Sequence, residues 1–593
     1  MKKYLSLFIC LLLVLSLASC GNKTPDSTTD AASGESTSPD SESGSETDSA
    51  SDSDSASDSN SDSKSETENE VSYDRSGRYV LNDKGEAIID DPELKSDYTI
   101  DDNSRIMYEI FVGSFSDSDG DGIGDLKGII NRMDYLNDGD PNSGTSLGVE
   151  GLWLTPVFKS RSYHKYDVDD YYQIDEKFGT EEDLKKLCEL CHERHMKLIL
   201  DLPINHTGKI NPWFTEFTVA HREGNTDNEY YDFYSYYKEG EEPPAGRTFN
   251  SIAGTDIYYE CNFSQDMPEL NFDNDAVRKA VLDVASYWLD LGVDGFRFDA
   301  APYLYYKDND SSAAFWSWYM EELRKIKPDI YTVAEVWASD SVTDKFYPAL
   351  NCFNFTAGQV SGLLTETAQF GDVNRLTSYT EKYLRRIKNM REDADPVWFL
   401  SNHDMDRSAG YLTAASGQLR MAANLYLLAP GSSFIYYGEE IGMRGSRGSA
   451  NTDANRRLAM LWGDGDTVKD PEGTSYGSDK QTTDTVASSL ADGNSILSYY
   501  KKLIRIRNAH PEIARGSYEN LEFFETKLGG FISTWKDSSV CVLHNTTHGN
   551  VTVDLSDVTD LEFTAISACI GSGTATLNGT ELTLESQTSV ILR

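Results

Sequence analysis

The sequence has few positive charges, and this shortage excludes whole classes of partner. The 593-residue chain has 53 Lys and Arg against 98 Asp and Glu, which gives a formal net charge of −45. Nucleic acid and anionic membrane surfaces would repel such a chain, so neither is expected as a partner. The charge is compatible with a soluble, neutral substrate but does not identify one.

Cysteines are also few, and the eight present do not have the even spacing of a disulfide framework. Cys188 and Cys191 are spaced like zinc ligands with His192 beside them, but a second pair of ligands is missing. Both cysteines lie in an apolar pattern with helical spacing, which favours a buried helix face. Whether Cys541 and Cys569 form a disulfide stays open at this point.

Long apolar runs are absent after the first 17 residues, so no later segment could span a bilayer. At the start, two lysines precede an apolar run that is followed by small residues and Cys20. This order predicts a signal peptide at residues 1–19. The cysteine resembles that of a bacterial lipobox, which implies a lipid on Cys20 and a membrane-anchored protein on the extracellular face of the cell. An uncleaved membrane helix is the alternative, but the run is short for one.

Residues 20–70 contain almost no large apolar side chain and consist mainly of Ser, Asp, Glu, Thr, Gly and Ala. Such a segment cannot bury enough apolar surface to offset the entropy lost on ordering. We therefore expect a disordered acidic tether that holds the folded part away from the membrane.

From about residue 105, short apolar runs alternate with helical patterns. The eight runs are 106–115, 149–158, 197–205, 293–300, 330–337, 351–355, 397–402 and 433–438. Continuous apolar runs are typical of parallel strands buried on both faces. Eight alternations predict an α/β fold, a TIM (β/α)8 barrel formed by residues 71–206 and 275–514. The sixth run is the weakest strand prediction.

Two segments interrupt or follow this pattern. Residues 207–274, after the third run, are rich in Tyr, Trp and Phe and are interpreted as an inserted lobe, domain B, beside the active site. Residues 515–593 change to short alternating strands, which predict a C-terminal antiparallel β-sandwich, domain C.

In a TIM barrel the chemistry lies at the C-terminal ends of the strands, and four runs end in ionisable residues. These residues are Asp201 and His206 after the third run, Arg297 and Asp299 on the fourth, Glu335 on the fifth, and His403 and Asp404 on the seventh. A single acid at a strand end more often forms a cap or an ion pair. Four such strands converging on one rim predict a shared pocket.

Paired carboxyl groups of this kind can hydrolyse glycosidic bonds, because one carboxylate attacks the anomeric carbon while a second carboxyl protonates the leaving oxygen. Arg297 lies two residues before Asp299, so both side chains point to the same face of the strand. We therefore expect Arg297 to lower the pKa of Asp299, and crowding among the carboxylates to keep Glu335 protonated.

The four strand ends resemble the conserved regions of glycoside hydrolase family 13, the α-amylase family, and so do residues 148–156 and 438–441. The resemblance implies that Asp299 is the nucleophile, Glu335 the acid/base and Asp404 the residue that holds the hydroxyls of a distorted sugar. It implies further contacts around the cleaved sugar from His206, His403 and Arg297. The family retains anomeric configuration, which predicts catalytic carboxyls about 5–5.5 Å apart.

The segment Tyr163-His164-Lys165-Tyr166-Asp167 resembles the family loop whose tyrosine stacks on the sugar. We therefore expect Tyr166 and His164 to bind substrate, and we expect Asp201 to belong to the same site. Core packing is the alternative for Tyr166.

Alternating Asp and Gly residues after the first run predict a Ca²⁺ site, because they wrap oxygen atoms around a hard cation. Similar loops in oligosaccharide-active members of the α-amylase family bind calcium. The expected ligands are Asp117, Asp119, Asp121, the Ile123 carbonyl and Asp125. A solvated acidic turn is the alternative, and Asn205 as the ligand of a second calcium is left open.

Two positions depart from the α-amylase pattern. Met267-Pro-Glu-Leu-Asn271 resembles a region in which members between α-amylases and oligo-1,6-glucosidases have Asp at the third position, where this chain has Glu269. Many α-amylases have Lys-His three and four residues after the nucleophile, where this chain has Pro302 and Tyr303. The second departure puts the subsites on the leaving side of the cleft in doubt.

The preferred interpretation is a monomeric, retaining endo-amylase that cuts α-1,4 bonds in starch, glycogen-type glucans and malto-oligosaccharides. An exported, anchored enzyme meets polymers that cannot enter the cell, and this favours endo-action. The alternatives are an exo-acting oligo-α-glucosidase, a transglycosylase resembling trehalose synthases, and a starch-binding lipoprotein without activity. The intact residues Asp299, Glu335 and Asp404 argue against the last.

Overall fold

The computed structural model describes residues 80–81, 87–88, 96 and 100–593, apart from 415–416 and 525–526. The predicted signal peptide, Cys20 and the acidic tether lie outside these residues. Two short strands, Val80–Leu81 and Ala87–Ile88, pair with each other ahead of the main body. No helix within the described ranges combines the length and the apolar character needed to cross a bilayer.

Eight parallel strands form the central sheet, as the eight apolar runs predict. They are β1 (Ile106–Ile110), β2 (Gly151–Leu154), β3 (Lys197–Leu202), β4 (Gly295–Phe298), β5 (Tyr331–Ala334), β6 (Asn351–Cys352), β7 (Val397–Phe399) and β8 (Ser432–Tyr436). The spatial order is β6-β5-β4-β3-β2-β1-β8-β7. A single parallel bridge between Phe353 and Val397 joins the two ends, so the sheet is a nearly closed TIM barrel.

Helices between the strands cover the outside of the barrel. They are Leu126–Asn131, Met133–Leu136, Glu181–Glu193, Asp275–Asp290, Asn309–Ile326, Asp340–Thr343, Leu363–Phe370, Val373–Met390, Gln418–Leu427, Val486–Leu490, Ile496–Ala509 and Pro511–Arg515. Their sequences set their starts: Thr180, for example, accepts a hydrogen bond from the Asp183 N–H in a capping box ahead of Glu181. Cys188 and Cys191 lie on the buried face of that helix, as expected.

The lobe inserted after β3 contains the helix Pro212–Glu223 and a three-stranded antiparallel sheet. In that sheet Ile257–Glu260 lies between Tyr236–Lys238 and Phe249–Ser251. The chain then returns to the barrel, where Glu269 pairs with His206 just beyond β3. A smaller hairpin of Phe158–Lys159 and Asp170–Ile174 flanks the same side.

Two antiparallel sheets form the C-terminal domain, as predicted. The larger has the order Ser517–Leu521, Leu528–Trp535, Ser538–Asn545, Thr588–Leu592, Ile566–Gly571, and the smaller has the order Val551–Asp554, Glu581–Leu584, Ala575–Asn578. Cys541 and Cys569 lie on strands that both pair with Thr588–Leu592, one on each side of it. Strands two apart are about 9–10 Å from each other, too far for a disulfide, and both cysteines are buried and outside any disulfide.

The barrel interior is apolar in its lower part, toward the N-terminal ends of the strands, and polar in its upper part, toward their C-terminal ends. Met107, Trp153, Ile199 and Phe434 belong to one buried cluster that fills the lower part. Two residues further along the strands, the same face carries charged groups, because successive inward side chains are two residues apart. Glu109 follows Met107, and Asp201 follows Ile199. This change of polarity places buried charges at the C-terminal rim.

Candidate active site

Arg297 is the centre of the polar upper layer. It lies on β4 opposite Asp201 of β3, and its guanidinium rests over the Trp153 ring at 5.3 Å from the ring centroid. Its Nη1 bonds Asp201 at 2.8 Å and Asp299 at 2.7 Å, and its Nη2 bonds Glu335 at 2.8 Å. One fully buried cation therefore holds three carboxyl groups that come from three different strands.

The backbone after β4 also holds Glu335. Ala300 has a φ of +48°, a left-handed conformation that is uncommon for residues other than glycine. In this conformation its N–H donates to the same Glu335 oxygen that Arg297 binds, at 3.0 Å. The turn therefore presents Asp299 and immediately supplies a donor to Glu335.

The pKa values of the Asp299 and Glu335 carboxyls are both raised, and neighbouring charges modify the effect of burial. Burial raises the pKa of Asp299 to about 6, although Arg297 acts in the opposite direction. The net direction is opposite to the one expected from the Arg297 spacing, since spacing along a strand does not reveal how deeply the group is buried. Burial also raises the pKa of Glu335, and the neighbouring Asp299 and Asp404 add to that increase.

Asp404 is held by two cations on the opposite side of the site. Arg457 Nη2 bonds one carboxylate oxygen at 2.7 Å, and His403 Nε2 lies 3.1 Å from the other. Burial opposes ionisation of Asp404, but His403 and Arg457 outweigh it and hold the pKa well below its usual value. The two cations therefore favour the ionised form of Asp404.

His403 lies beneath the cleft and links several groups. Its Nδ1 is 2.6 Å from Glu109, and its ring stacks on Tyr166 at a centroid distance of 5.6 Å. Burial lowers the pKa of His403, but Asp404 and Glu109 outweigh burial and raise it to about 10. The Tyr166 hydroxyl donates to Asp201 at 2.8 Å, which ties the two halves of the polar layer together.

A cleft of about 810 Å³ opens above this layer. Six predicted residues line it, namely Tyr166, His164, His206, Asp299, Glu335 and Asp404. Three others, Asp201, Arg297 and His403, are buried beneath it and contact the lining side chains. The structure thus brings all nine predicted residues together, in two layers.

The two remaining histidines of the cleft are neutral donors or acceptors at neutral pH. Burial lowers the pKa of both His164 and His206 to about 4. The Nε2 atom of His206 is buried and has no hydrogen-bond partner in the described part of the chain.

Sequence reasoning missed several cleft residues. Arg457 and Asp453 come from the long loop after β8, where no periodicity marks them. Phe263 and Trp337 add aromatic rings from two different connections, and Tyr303, which the sequence showed only as a departure from the family pattern, adds a third. Glu109 is the one charged residue among the apolar side chains of β1, and this pattern could have identified it as a site residue. Glu269 lies beside the cleft, where Asn262 donates two hydrogen bonds to its carboxylate.

The Asp-rich loop after β1 forms an acidic cluster. Carboxylate oxygens of Asp117, Asp119 and Asp125 lie within 4.8 Å of one another. The Asp121 carboxylate is not part of this cluster and accepts the Ile123 N–H at 2.7 Å, and the Ile123 carbonyl stays a predicted ligand. Oxygen donors at this separation fit a hard divalent cation such as Ca²⁺.

Comparison with known proteins agrees with this geometry. The family model for the α-amylase catalytic domain matches residues 109–516. Alpha-amylase 3 of Dictyoglomus thermophilum is 34% identical over 448 residues, which cover 74% of this chain and 84% of that protein. An oligo-1,6-glucosidase of Parageobacillus thermoglucosidasius is 30% identical over 490 residues, covering 70% of this chain and 84% of the relative.

The fold has a solved counterpart of similar sequence. Eubacterium rectale Amy13B matches with a TM-score of 0.76 and 32% identity, over 84% of this chain and 97% of that one. The matched region contains the barrel, the rim carboxyls and the guanidinium that joins them. The chain belongs to the α-amylase family of glycoside hydrolases.

Proposed function

We propose that the protein hydrolyses α-1,4-glucosidic bonds inside starch, glycogen-type glucans and malto-oligosaccharides, with retention of anomeric configuration. The observation that carries this proposal is the pair of carboxyls, Asp299 and Glu335, held by one guanidinium at the floor of an open cleft. A nucleophile and a proton donor in one site are the equipment for retaining hydrolysis.

In the first step, the Asp299 carboxylate attacks the anomeric carbon while the Glu335 carboxyl gives its proton to the glycosidic oxygen. The bond to the leaving glucan breaks, and a covalent glycosyl ester on Asp299 forms. Asp299 is ionised above a pH of about 6. When Glu335 loses its proton, the Arg297 guanidinium stabilises the negative charge that forms. The two groups are already in contact at 2.8 Å.

In the second step, Glu335 acts as a base and takes a proton from water. The water oxygen attacks the anomeric carbon, and Asp299 leaves as a carboxylate. Two displacements at one carbon restore the original configuration. Asp404, kept anionic by Arg457 and His403, accepts hydrogen bonds from the hydroxyls of the sugar as the ring flattens toward the transition state.

The open cleft favours action within a chain. Its lining includes exposed aromatic rings near the carboxyls, which suit sugars beyond the one that is cut. An exo-acting oligo-α-glucosidase is the second candidate, and the similarity to an oligo-1,6-glucosidase favours it. The endo-acting and exo-acting enzymes differ in their products, because endo-action shortens amylose rapidly while releasing little glucose.

Two further assignments accompany the proposal. Asp117, Asp119 and Asp125 hold Ca²⁺, which joins the loop after β1 into a rigid unit.

A lipid on Cys20 and the tether at 20–70 display the enzyme on the extracellular face of the cell, and the order of basic, apolar and small residues supports this location.

Product analysis tests the proposal directly. Purified enzyme should release maltose and maltotriose from amylose and maltoheptaose, and the Glu335→Gln variant should bind amylose while losing about 10²–10⁴-fold in rate. Glucose as the first product from maltoheptaose would favour the exo-acting enzyme. Starch binding with no hydrolysis by the wild type, or an unchanged rate in Glu335→Gln, would overturn the proposal.

A further inference from the structure

Lys165 is a buried charge on the back of the loop that carries His164 and Tyr166. Those two neighbours line the cleft, whereas Lys165 lines a separate cavity of about 180 Å³ behind the loop, beside Phe178 and Ile123. Only 5% of the lysine is exposed. Burying an ammonium group is costly unless it is paired, so this lysine requires a fixed partner.

The partner of Lys165 is Asp175. The lysine Nζ lies 2.6 Å from the carboxylate, and the two side chains are only 6% and 7% exposed. The same ammonium donates to the Ser160 carbonyl at 2.9 Å and lies 5.3 Å from the centroid of the Phe178 ring. Asp175 is itself bonded to the barrel, because its N–H donates at 2.9 Å to the carbonyl of Val157, just beyond β2. The ion pair therefore connects the middle of the loop to a segment that the barrel holds.

The backbone of Lys165 is in a conformation that lysine rarely adopts. Its φ is +66°, in the left-handed region, and its N–H donates to the Ser162 Oγ at 3.1 Å. Such a conformation persists only where the surroundings hold it. Glycine would adopt it without strain, so the turn alone does not require a lysine. What the lysine adds to the turn is the buried ion pair with Asp175.

The turn at Lys165 sets the side chains on either side of it. The Tyr166 N–H donates to His164 Nδ1 at 3.1 Å, which places the proton of the neutral His164 ring on Nε2. The Tyr166 hydroxyl donates to Asp201 at 2.8 Å and lies 2.7 Å from His403 Nε2. A displacement of about 1 Å at such groups can lower a rate about 100-fold. The orientation of both cleft side chains therefore depends on the path of the loop.

We propose that Lys165 is a positioning residue for the cleavage reaction, because its ion pair with Asp175 holds His164 and Tyr166 in the orientation that binds the sugar at the cleaved bond. The inference rests on the proposed hydrolytic function. The ammonium does not touch the substrate and acts through the loop. A loop fixed from behind needs no reordering when the sugar binds, so the transition state meets groups that are already in place.

A double-mutant cycle tests this role. Lys165→Met keeps the apolar stem without the charge, and Asp175→Asn removes the charge of the partner. In each variant we expect kcat/KM with maltoheptaose to fall about tenfold, and the Kd of acarbose, an oligosaccharide mimic with a flattened ring, to rise by about the same factor. The double variant should lose no more than either single variant, because both changes remove the same interaction. Calorimetric titration should still give one acarbose site per molecule, since the variants stay folded.

Two further variants separate positioning from general stability. Lys197 is another largely buried lysine, paired with Asp329 at the opposite end of β3 from Asp201. Lys197→Met should lower Tm as Lys165→Met does, but it should keep the wild-type kcat/KM and Kd. Lys165→Gly keeps the left-handed turn and removes the ion pair, and we expect the same loss from it as from Lys165→Met. It also serves as the test if Lys165→Met does not fold.

The outcomes distinguish this inference from the proposed function. Wild-type affinity for acarbose in Lys165→Gly, or an equal loss of affinity in Lys197→Met, would overturn the inference alone. A wild type that binds acarbose without hydrolysing amylose would overturn the proposed function, and the Kd values would still decide whether Lys165 positions the loop. A wild type that neither binds acarbose nor hydrolyses amylose would overturn both.

Discussion

Asp299 and Glu335 bind the two terminal nitrogens of a single guanidinium, at 2.7 Å and 2.8 Å. Arg297 also binds Asp201, so three buried carboxyls share one cation. Full ionisation of all three would leave uncompensated charge in a low-dielectric site. Burial raises the pKa of Asp201, Asp299 and Glu335, so the site favours a shared proton, which retaining hydrolysis requires on Glu335.

Replacing Arg297 by Lys should therefore damage both chemical steps. An ammonium is a point charge and cannot bind two carboxyls through a planar fork. We expect kcat on amylose to fall about 10²–10³-fold with a smaller change in KM, since charge stabilisation at the transition state is lost. Arg375→Lys, at an exposed ion pair with Glu366, is the control and should match the wild type. Equal kcat in Arg297→Lys would contradict the shared-cation arrangement.

Protonated His403 should stabilise the fold in a pH-dependent way. Its pKa rises from 6.5 to about 10 in the folded protein. The stabilisation is therefore complete below pH 6.5 and is lost as the pH rises toward about 10. The difference in Tm between wild type and His403→Asn should be largest below pH 6.5 and should shrink toward pH 10. His548→Asn, at an exposed turn, should give no such trend; a constant difference for His403→Asn would refute the assignment.

Glu269 should also make the fold less stable as the pH rises, but in a lower pH range and through the cost of burying a negative charge. Burial and the neighbouring Glu260 raise its pKa from 4.5 to about 8, so ionising it costs the folded state free energy as the pH rises between these values. Glu269→Gln keeps an acceptor for the Asn262 N–H and carries no charge. Its Tm should exceed that of the wild type increasingly up to pH 8. Glu239→Gln, exposed in the same lobe, is the control, and a less stable Glu269→Gln at pH 8 would be the contrary outcome.

Calcium should stabilise the folded protein through the loop after β1. At a free concentration 100-fold above Kd, binding to the folded state alone adds about 2.7 kcal/mol. Calorimetry should therefore show a higher Tm with CaCl₂ and a lower one with EDTA. Asp119→Asn should remove most of this response, whereas Asp537→Asn, at an exposed turn of the C-terminal domain, should retain it. An identical Tm in EDTA and CaCl₂ would exclude the site.

The barrel can be predicted from the sequence because parallel strands buried on both faces produce continuous apolar runs. The acidic residues at the rim can be predicted because four of the apolar runs end in ionisable residues. Even β6, with only Asn351–Cys352 in regular pairing, was placed by its position in the alternation.

Other features depend on long-range packing that no local pattern encodes. Arg457 reaches Asp404 from a loop far beyond β8, and Phe263 reaches Tyr303 from the inserted lobe. The net pKa shift of Asp299 depends on burial depth, which the spacing to Arg297 does not contain. Each of these required the folded arrangement of distant segments.

The buried cysteines, none of them in a disulfide within the described ranges, have a consequence for the redox conditions under which the chain stays folded. In the described ranges the six cysteines lie outside any disulfide, and burial raises the pKa of Cys188 to about 12. Thiolates are the form that oxidants and disulfides attack, so these groups are chemically inert in the folded state. The described part of the chain therefore needs no oxidant to form cross-links and loses no cross-link under reduction.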